Sequence, residues 1–478
     1  MSRRIRWLVI ALVHAPIRVL LAQDTNTVVV AAAPAKVALD TTPRCGFCRR
    51  PSVPAALFEG ILIGSLLNRV NAWVLNDSTA RVSPTTWKHN FQQGWDWDTD
   101  DFVVNMLGHP YMGSTFFAAG RTNGLGFWAS APMTVFHAAG WEYFGETTQP
   151  SVNDLVNTSM GGIALGEMFH RVAATIRDNE AGGAARVWRE VAAIPFDPVG
   201  SVNRLVRGEW SRKGRNPIEH NPVGTVLRTG AGIGVVRAPG ASGLSLAGAD
   251  LTSILFADVK YGDSYVDTLR KPFDAFSMRI LLAPRHGGLT QLFGVGRLVS
   301  KELGSGEGNR RQLELNQQFE YVNNDALQFG AQTIQLGLST RVRLADRYWL
   351  RALIAADAIV LSGINAPGAG TGARNYDFGP GVGGTFTATI EHDVIPYLTV
   401  RFSPAYTHTV SGSSADHGTT LSSIEANIPV KGQLALVIHG STFTRSSRYA
   451  DGTTNNRAIA ELRVFAAFKT AHRPPVAR

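Results

Sequence analysis

The sequence predicts an α+β chain, with an N-terminal helical domain followed by a C-terminal antiparallel transmembrane β-barrel of about 12 strands. Three observations carry this reading. Apolar residues recur at helical spacing in the first half, and at every second position from about residue 222. Over the last strands, short and long connections alternate, as they do between the two rims of a bacterial barrel. After the first residues, nowhere do about 20 apolar residues run together, so a membrane-spanning part has to be made of strands.

Composition narrows the classes. Of 478 residues, 44% are hydrophobic and only 17% charged, which excludes a disordered or coiled-coil chain. Two cysteines exclude a disulfide scaffold.

Residues 1–22 read as a secretory signal peptide. Arg3, Arg4 and Arg6 precede the apolar stretch that begins at Trp7–Val13, and Leu20-Leu21-Ala22 offers a small-residue end. His14, Pro16 and Arg18 interrupt it; a membrane anchor would need about 20 unbroken apolar residues. Removing this segment takes away four arginines, and the positive excess falls from nine to five. No Lys/Arg run is interleaved with aromatics, which argues against nucleic acid as a partner.

Residues 23–54, rich in Ala, Thr, Val and Pro, read as a linker. Cys45 and Cys48 form a CxxC pair within Arg44–Arg50. Zinc would need two further ligands and no second cysteine pair exists, while a redox role lacks a βαβ context. In an exported chain the pair reads as a local disulfide.

Residues 55–212 read as an α-helical domain on the periplasmic side. Leu57, Ile61, Leu62, Leu66, Val70, Trp73 and Val74 mark a first helix. A loop, Trp95-Asp-Trp-Asp-Thr-Asp-Asp101, then leads to helix-like stretches at roughly 101–120, 128–146 and 151–177, with Ser151 placed as an N-cap. The acidic loop lacks the Gly and Glu of an EF-hand, having Asp101 and Leu107 there, and reads as a cap on the next helix.

From residue 222 to 469 the period is two. Ile334, Leu336, Leu338, Val342 and Leu344 alternate with Gln335, Gly337, Ser339, Arg341 and Arg343; the segments at 398–407, 434–439 and 461–468 alternate likewise. Short turns fall near Asp346-Arg347, His392-Asp393 and Lys431-Gly432, and long loops near 362–375, 411–419 and 446–456. An even strand count puts both barrel ends in the periplasm. A lumen of about 12 strands is too narrow for four helices. The last strand ends at the aromatic Phe468, leaving residues 470–478 as a tail. Arg341, Arg343, Arg351 and Arg401 are expected to face the lumen and balance acids such as Glu320, Asp357 and Glu461, sealing the barrel rather than opening it.

The helical half carries an ordered string. It runs Trp95-x-Trp-Asp98, Phe102, Asn105, His109-Pro-Tyr-x-Gly-Ser114 and Arg121-x-Asn-Gly124. Trp141-Glu-Tyr-Phe-Gly-Glu146, Pro150-Ser-Val-Asn-Asp154, Asn157-Thr158, Gly161-Gly162 and Gly166-Glu167 follow. Over residues 85–210 this closely resembles a bacterial outer-membrane family known as domain of unknown function 3943. The resemblance implies a Gram-negative envelope protein without an assigned activity. Glu142, Gln149, Asp154, Asn157 and Gly161 are also similar to the E…Q…D…N…G signature of VanZ-like helical membrane proteins, with an Asp–Asn spacing of three rather than four.

Helical spacing brings His109, Glu142, Glu146, Asp154, Asn105, Asn157 and Glu167 toward one polar centre. His109, Glu142, Glu146 and Asp154 are the catalytic candidates; Asn105, Asn157 and Glu167 are ligand-binding candidates. Such a set suits acid–base chemistry or a divalent metal, or else a buried network that fixes helix packing. Glycines 108, 113, 145, 161, 162 and 166 read as close helix contacts, because no nucleotide-binding fingerprint is present. No cofactor is implied. The expected partners are outer-membrane lipid and, during biogenesis, the barrel-assembly machinery. The function expected is an envelope binding, transport or structural component; the alternative is an envelope enzyme acting on a lipid or glycan.

Overall fold

The computed structural model describes residues 49–216, 220, 222–237, 251–265, 271–283, 288–306, 308–324, 327–366 and 374–471. The leader, most of the linker, Cys45, Cys48 and the end of the tail lie outside the described residues.

The first half is helical: α1 Val53–Arg69, α2 Pro84–Gln92, α3 His109–Thr122, α4 Phe127–Phe144, α5 Val152–Val156, α6 Gly162–Ile176, α7 Gly183–Ala193 and α8 Pro198–Val206. Local chemistry starts several of them. Ser52, Ser83 and Asp197 each accept a first-turn backbone N–H, and a proline follows each within the first turn. Asp101 accepts from the N–H groups of Val103 and Val104 at 2.9 and 3.0 Å, so the acidic loop does cap the next helix. Ser151 occupies the N-cap position of α5, but its hydroxyl bonds the Asp154 carboxyl instead of a backbone N–H. Single π-helical turns at Val104–Gly108 and Asn157–Gly161 lead into α3 and α6. Those two helices touch backbone to backbone: a Cβ on Gly113 or Gly162 would collide with the facing chain.

The second half forms β1 Val226–Arg237, β2 Leu251–Tyr261, β3 Phe276–Ala283, β4 Gly288–Gly306, β5 Asn309–Asn323 and β6 Gln328–Ala345. It continues with β7 Tyr348–Asn365, β8 Tyr376–His392, β9 Ile395–His408, β10 Ala415–Lys431, β11 Leu434–Tyr449 and β12 Thr454–Ala471. Each strand pairs antiparallel with its chain neighbours, and β1 closes on β12 from Val226↔Ala471 to Arg237↔Ala460. The last strand therefore runs three residues past Phe468.

Contacts between distant strands fix which residues face inward. Arg279 of β3 bonds Glu425 of β10 at 2.5 Å, and Lys260 of β2 bonds Glu391 of β8 at 2.6 Å; neither pair lies on adjacent strands, so all four side chains point into the lumen. The alternate positions face out, and Leu336, Leu338, Ile354, Val382, Phe402, Ile424 and Leu462 are exposed there. A polar lumen, an apolar outer band and antiparallel closure make this an outer-membrane barrel architecture. On one rim β6–β7, β8–β9 and β10–β11 join through tight turns, and the strand ends at Asn365 and Tyr376, His408 and Ala415, and Tyr449 and Thr454 lie on the other. The long loop expected at 446–456 is mostly strand, since β11 reaches Tyr449 and β12 begins at Thr454. Residues 262–275, between β2 and β3, break the alternation on the short-turn rim.

The helices neither enter the lumen nor hang free of the barrel: they pack on its outer wall. Outward positions on β4, β6 and β7 are glycines where helices arrive. Gly294 receives Met168 of α6, and a Cβ at Gly330 would stand 2.5 Å from Met106 Cε. Gly363 faces the same methionine, with Met106 Sδ 3.1 Å from where a Cβ would be. Two outward glutamines, ill suited to lipid, are satisfied by the helices: Gln317 donates to the Met160 carbonyl at 2.8 Å and Gln332 to Asn157 Oδ1 at 3.4 Å. Phe102 stacks on Tyr321, with centroids 5.6 Å apart, and Arg171 donates to the Pro272 carbonyl at 2.9 Å. The shared apolar core accordingly joins Met106, Leu165, Met168 and Phe169 to Tyr261, Phe276, Phe319 and Tyr376.

Candidate functional site

The polar centre forms where the turn before α3, the end of α4 and the start of α5 converge. His109 Nε2 lies 3.3 Å from Asp154 Oδ1, and His109 Nδ1 meets the Thr158 hydroxyl at 3.1 Å. Asn153 donates to Asp154 Oδ1 at 2.7 Å and to Asn105 Oδ1 at 3.1 Å. Asn105 in turn donates to Asp98 Oδ2 at 3.0 Å and to the Tyr376 hydroxyl at 2.8 Å. Glu142 Oε2 accepts the Ser151 N–H at 2.9 Å, and Glu146 Oε1 accepts from Trp141 Nε1 at 2.7 Å.

The electrostatics favour neutral acids. Burial, followed by the Asp154 and Glu146 carboxyls, holds Glu142 well above the ordinary carboxylate range. Asp154 is raised in the same way by burial and then by Asp98. Burial pushes Glu146 up to about 7, although His109 pulls the other way. Carboxyls this close and this dry share protons, so they titrate as a group.

Of the sequence-predicted residues, His109, Asp154, Glu142, Glu146 and Asn105 are brought together. Asn157 and Glu167 are not. Asn157 points at the barrel, donating to Met106 Sδ at 3.6 Å and accepting from Gln332. Glu167 is a separate ion-pair centre, with Arg121 at 2.9 Å and Arg171 at 2.8 Å. Burial would raise Glu167, but the two arginines outweigh it and hold the carboxyl below its usual range. The i,i+3 and i,i+4 spacing that suggested one face put Glu167 on the stretch of α6 aimed at Arg121, beyond the reach of His109.

The sequence assigns no part in this centre to four contributors, although it marks Ser151 as a helix N-cap. Asp98, Ser151 and Asn153 lie inside the motif string, where their side chains proved to be connectors. Tyr376 comes from β8, and no local pattern ties it to Asn105, 271 residues away. Its hydroxyl also donates to the Asp100 carbonyl at 3.2 Å, and Arg374 reaches the Asp98 carbonyl at 3.4 Å. Among the described residues, no group of three or more His, Cys, Asp or Glu side chains is arranged to hold a metal ion.

The lumen is a second polar region. Arg228 and Arg279 share Asp258 and Glu425, while Arg351 joins Asp263 at 2.9 Å and Glu391 at 3.3 Å. Tyr265, from the 262–275 connection, enters the lumen and bonds Ser339 at 2.7 Å. Of the arginines expected to balance acids here, Arg351 does so and Arg341 donates to the Asp393 carbonyl. Arg343 instead sits exposed at the turn with Asp346. Glu461 pairs with Arg463, whereas Asp357 is met by Gln335 and Thr385 and Glu320 by Gln318.

Residues 94–199 match the family model described as domain of unknown function DUF3943. No curated protein matches the chain. Among solved structures, the chain is similar to the outer membrane channel DcaP of Acinetobacter baumannii, at 7% identity and TM-score 0.20, over 51% of this chain and 97% of that one. It is similar to the Pseudomonas putida toluene transporter TodX at 9% identity and TM-score 0.20, over 53% and 90%. Outer-membrane expressed OmpT of Vibrio cholerae aligns at 8% identity and TM-score 0.23, over 52% and 97%.

Proposed function

We propose that this chain is an outer-membrane binding or structural component whose barrel does not conduct, and whose helical domain joins the barrel at its periplasmic rim and lies along the outer wall toward the opposite rim, where Asn105 meets Tyr376 at the start of β8. The observation that carries the reading is the set of ion pairs tying opposite lumen walls, Arg279–Glu425 and Lys260–Glu391 above all. Such desolvated pairs resist removal because breaking one leaves an uncompensated charge. The periplasmic entry is supported by Val226, the first residue of β1, which pairs with Lys260 and Ala471 on the short-turn rim.

Outer-membrane lipid is the surrounding partner, and the barrel-assembly machinery inserts the barrel. The segment Val53–Val74 is long and apolar enough to cross a membrane, and it leaves Phe58, Ile61, Leu62, Leu66 and Trp73 exposed. This face of the helical domain meets lipid beside the barrel. The His109–Asp154 centre is the hub that joins helices to barrel wall through Asn105 and Tyr376. It is buried and bonded to itself, which favours this role over the enzyme alternative.

The test is conductance in a planar lipid bilayer. The reading expects no steady current from the wild type, and current steps once Arg279→Ala and Glu425→Ala are combined. A stable open-channel current from the wild type overturns it.

A further inference from the structure

The lumen retains a cavity of about 480 Å3, within the size range of small-molecule sites. Toward the short-turn rim it ends at the Arg351, Glu391 and Lys260 ion pairs. Toward the other rim it narrows at an apolar collar in which Phe329 and Phe443 stand 6.3 Å apart.

Several charges on its wall have no opposite charge within bonding distance among the described residues, Arg401 and the carboxylates of Glu314, Glu320 and Asp357, and of these Arg401 and Glu320 act on each other electrostatically. Arg228, Arg279, Arg297, Arg351 and Arg463 each hold a carboxylate partner in the lumen. Arg401 of β9 does not. Its Nε donates to Ser403 at 3.0 Å and its guanidinium lies 4.4 Å from the Phe293 ring centroid, so its terminal nitrogens are free of protein partners among the described residues. Glu320 of β5 lines the same cavity and accepts only from Gln318, at 3.3 Å, with no cation in bonding range among the described residues. A cation and a carboxylate that face one cavity without bridging each other fit a ligand that carries both opposite charges. A guanidinium with free terminal N–H groups suits a carboxylate. The Phe293 ring and the collar suit an apolar body.

We propose that the lumen cavity binds a small zwitterion of amino-acid type with an apolar side chain, its carboxylate on Arg401 and its ammonium at Glu320. The inference rests on the reading of the lumen as closed, because an open pore would pass such a solute rather than retain it.

The test is isothermal titration of the full-length protein in detergent with three probes: phenylalanine, benzoate and phenethylamine. Phenylalanine is expected to bind at least about tenfold tighter than either single-charge probe, the loss of one charge-assisted bond. Arg401→Gln should make phenylalanine no tighter than phenethylamine, and Glu320→Gln should make it no tighter than benzoate. Heat-modifiable gel mobility checks that each variant barrel is folded. Absence of phenylalanine binding, or unchanged affinity in both folded variants, overturns the inference. A barrel that is silent in the bilayer yet fails to bind phenylalanine sinks this inference alone; a conducting one sinks the closed-lumen reading.

Discussion

Asn105 and Tyr376 share a hydrogen bond of 2.8 Å across 271 residues, linking the polar centre of the helical domain to the outer wall of the barrel. Through Asn153, the same asparagine reaches Asp154 and thus His109. Domain and barrel are therefore fastened through a buried polar network of the helical half, and the motif string lies along the fastening.

Removing the hub histidine should loosen it. His109→Ala takes one of two polar partners from Asp154 Oδ1 and the imidazole from the Thr158 hydroxyl, and each lost hydrogen bond typically costs about 0.5–1.5 kcal/mol. Denaturant unfolding of the helical domain, followed by tryptophan fluorescence, should shift by that amount while heat-modifiable mobility of the barrel is kept.

Stability of the helical domain should fall as pH rises through neutrality. Glu146 keeps its proton to about 7 in the fold, against about 4.3 in an unfolded chain. Between those values the folded state binds more protons than the unfolded one, so stability declines across that window as pH goes up. Glu146→Gln should flatten the slope there. Glu167 works in the opposite sense: its depressed carboxyl contributes stability at neutral pH that is lost in acid, so Glu167→Gln should remove part of the acid limb. Unfolding midpoints from about pH 2 to 8 check the pair, Glu146 above and Glu167 below about 4.3.

The glycines on the outer wall should tolerate no side chain. Gly330→Leu drives a branched chain into Met106, and forced overpacking typically costs about 1–3 kcal/mol. Limited proteolysis should then cut within the helical domain while the barrel stays resistant. Gly440 on β11, with only ordinary contact near its Cβ position, serves as the control and should accept alanine.

Lipid contact of the first helix is measurable directly. Trp73 is 75% exposed on the apolar Val53–Val74 segment, so in a variant that keeps only this tryptophan, brominated lipid should quench its emission. Emission unaffected by brominated lipid would place that face in water or against another protein.

Much of this architecture was legible in the sequence because each signal is local. Alternation at 334–344 and 398–407 located strands, and turn residues at Asp346-Arg347 located a rim. What stayed hidden depends on contacts between distant segments. Gly294, Gly330 and Gly363, with Gln317 and Gln332, mark the docking surface; on a lipid-facing wall, glycines and glutamines are the wrong residues unless something covers them. That signal was present, yet it could be read only once strand parity was known. Likewise Arg343 and Arg351 share a sequence pattern, but only Arg351 lies deep enough to find Glu391.

The helical domain docks on the outer wall of a closed barrel, with Met168 of α6 seated at Gly294 of β4. Cysteines placed by Met168→Cys and Gly294→Cys, with Cys45 and Cys48 replaced by serine, test it most directly in the protein folded in its membrane. Docking at this position gives a disulfide on oxidation, seen as a shifted band that reductant reverses. A correctly folded barrel whose two cysteines stay unlinked under oxidation would contradict it.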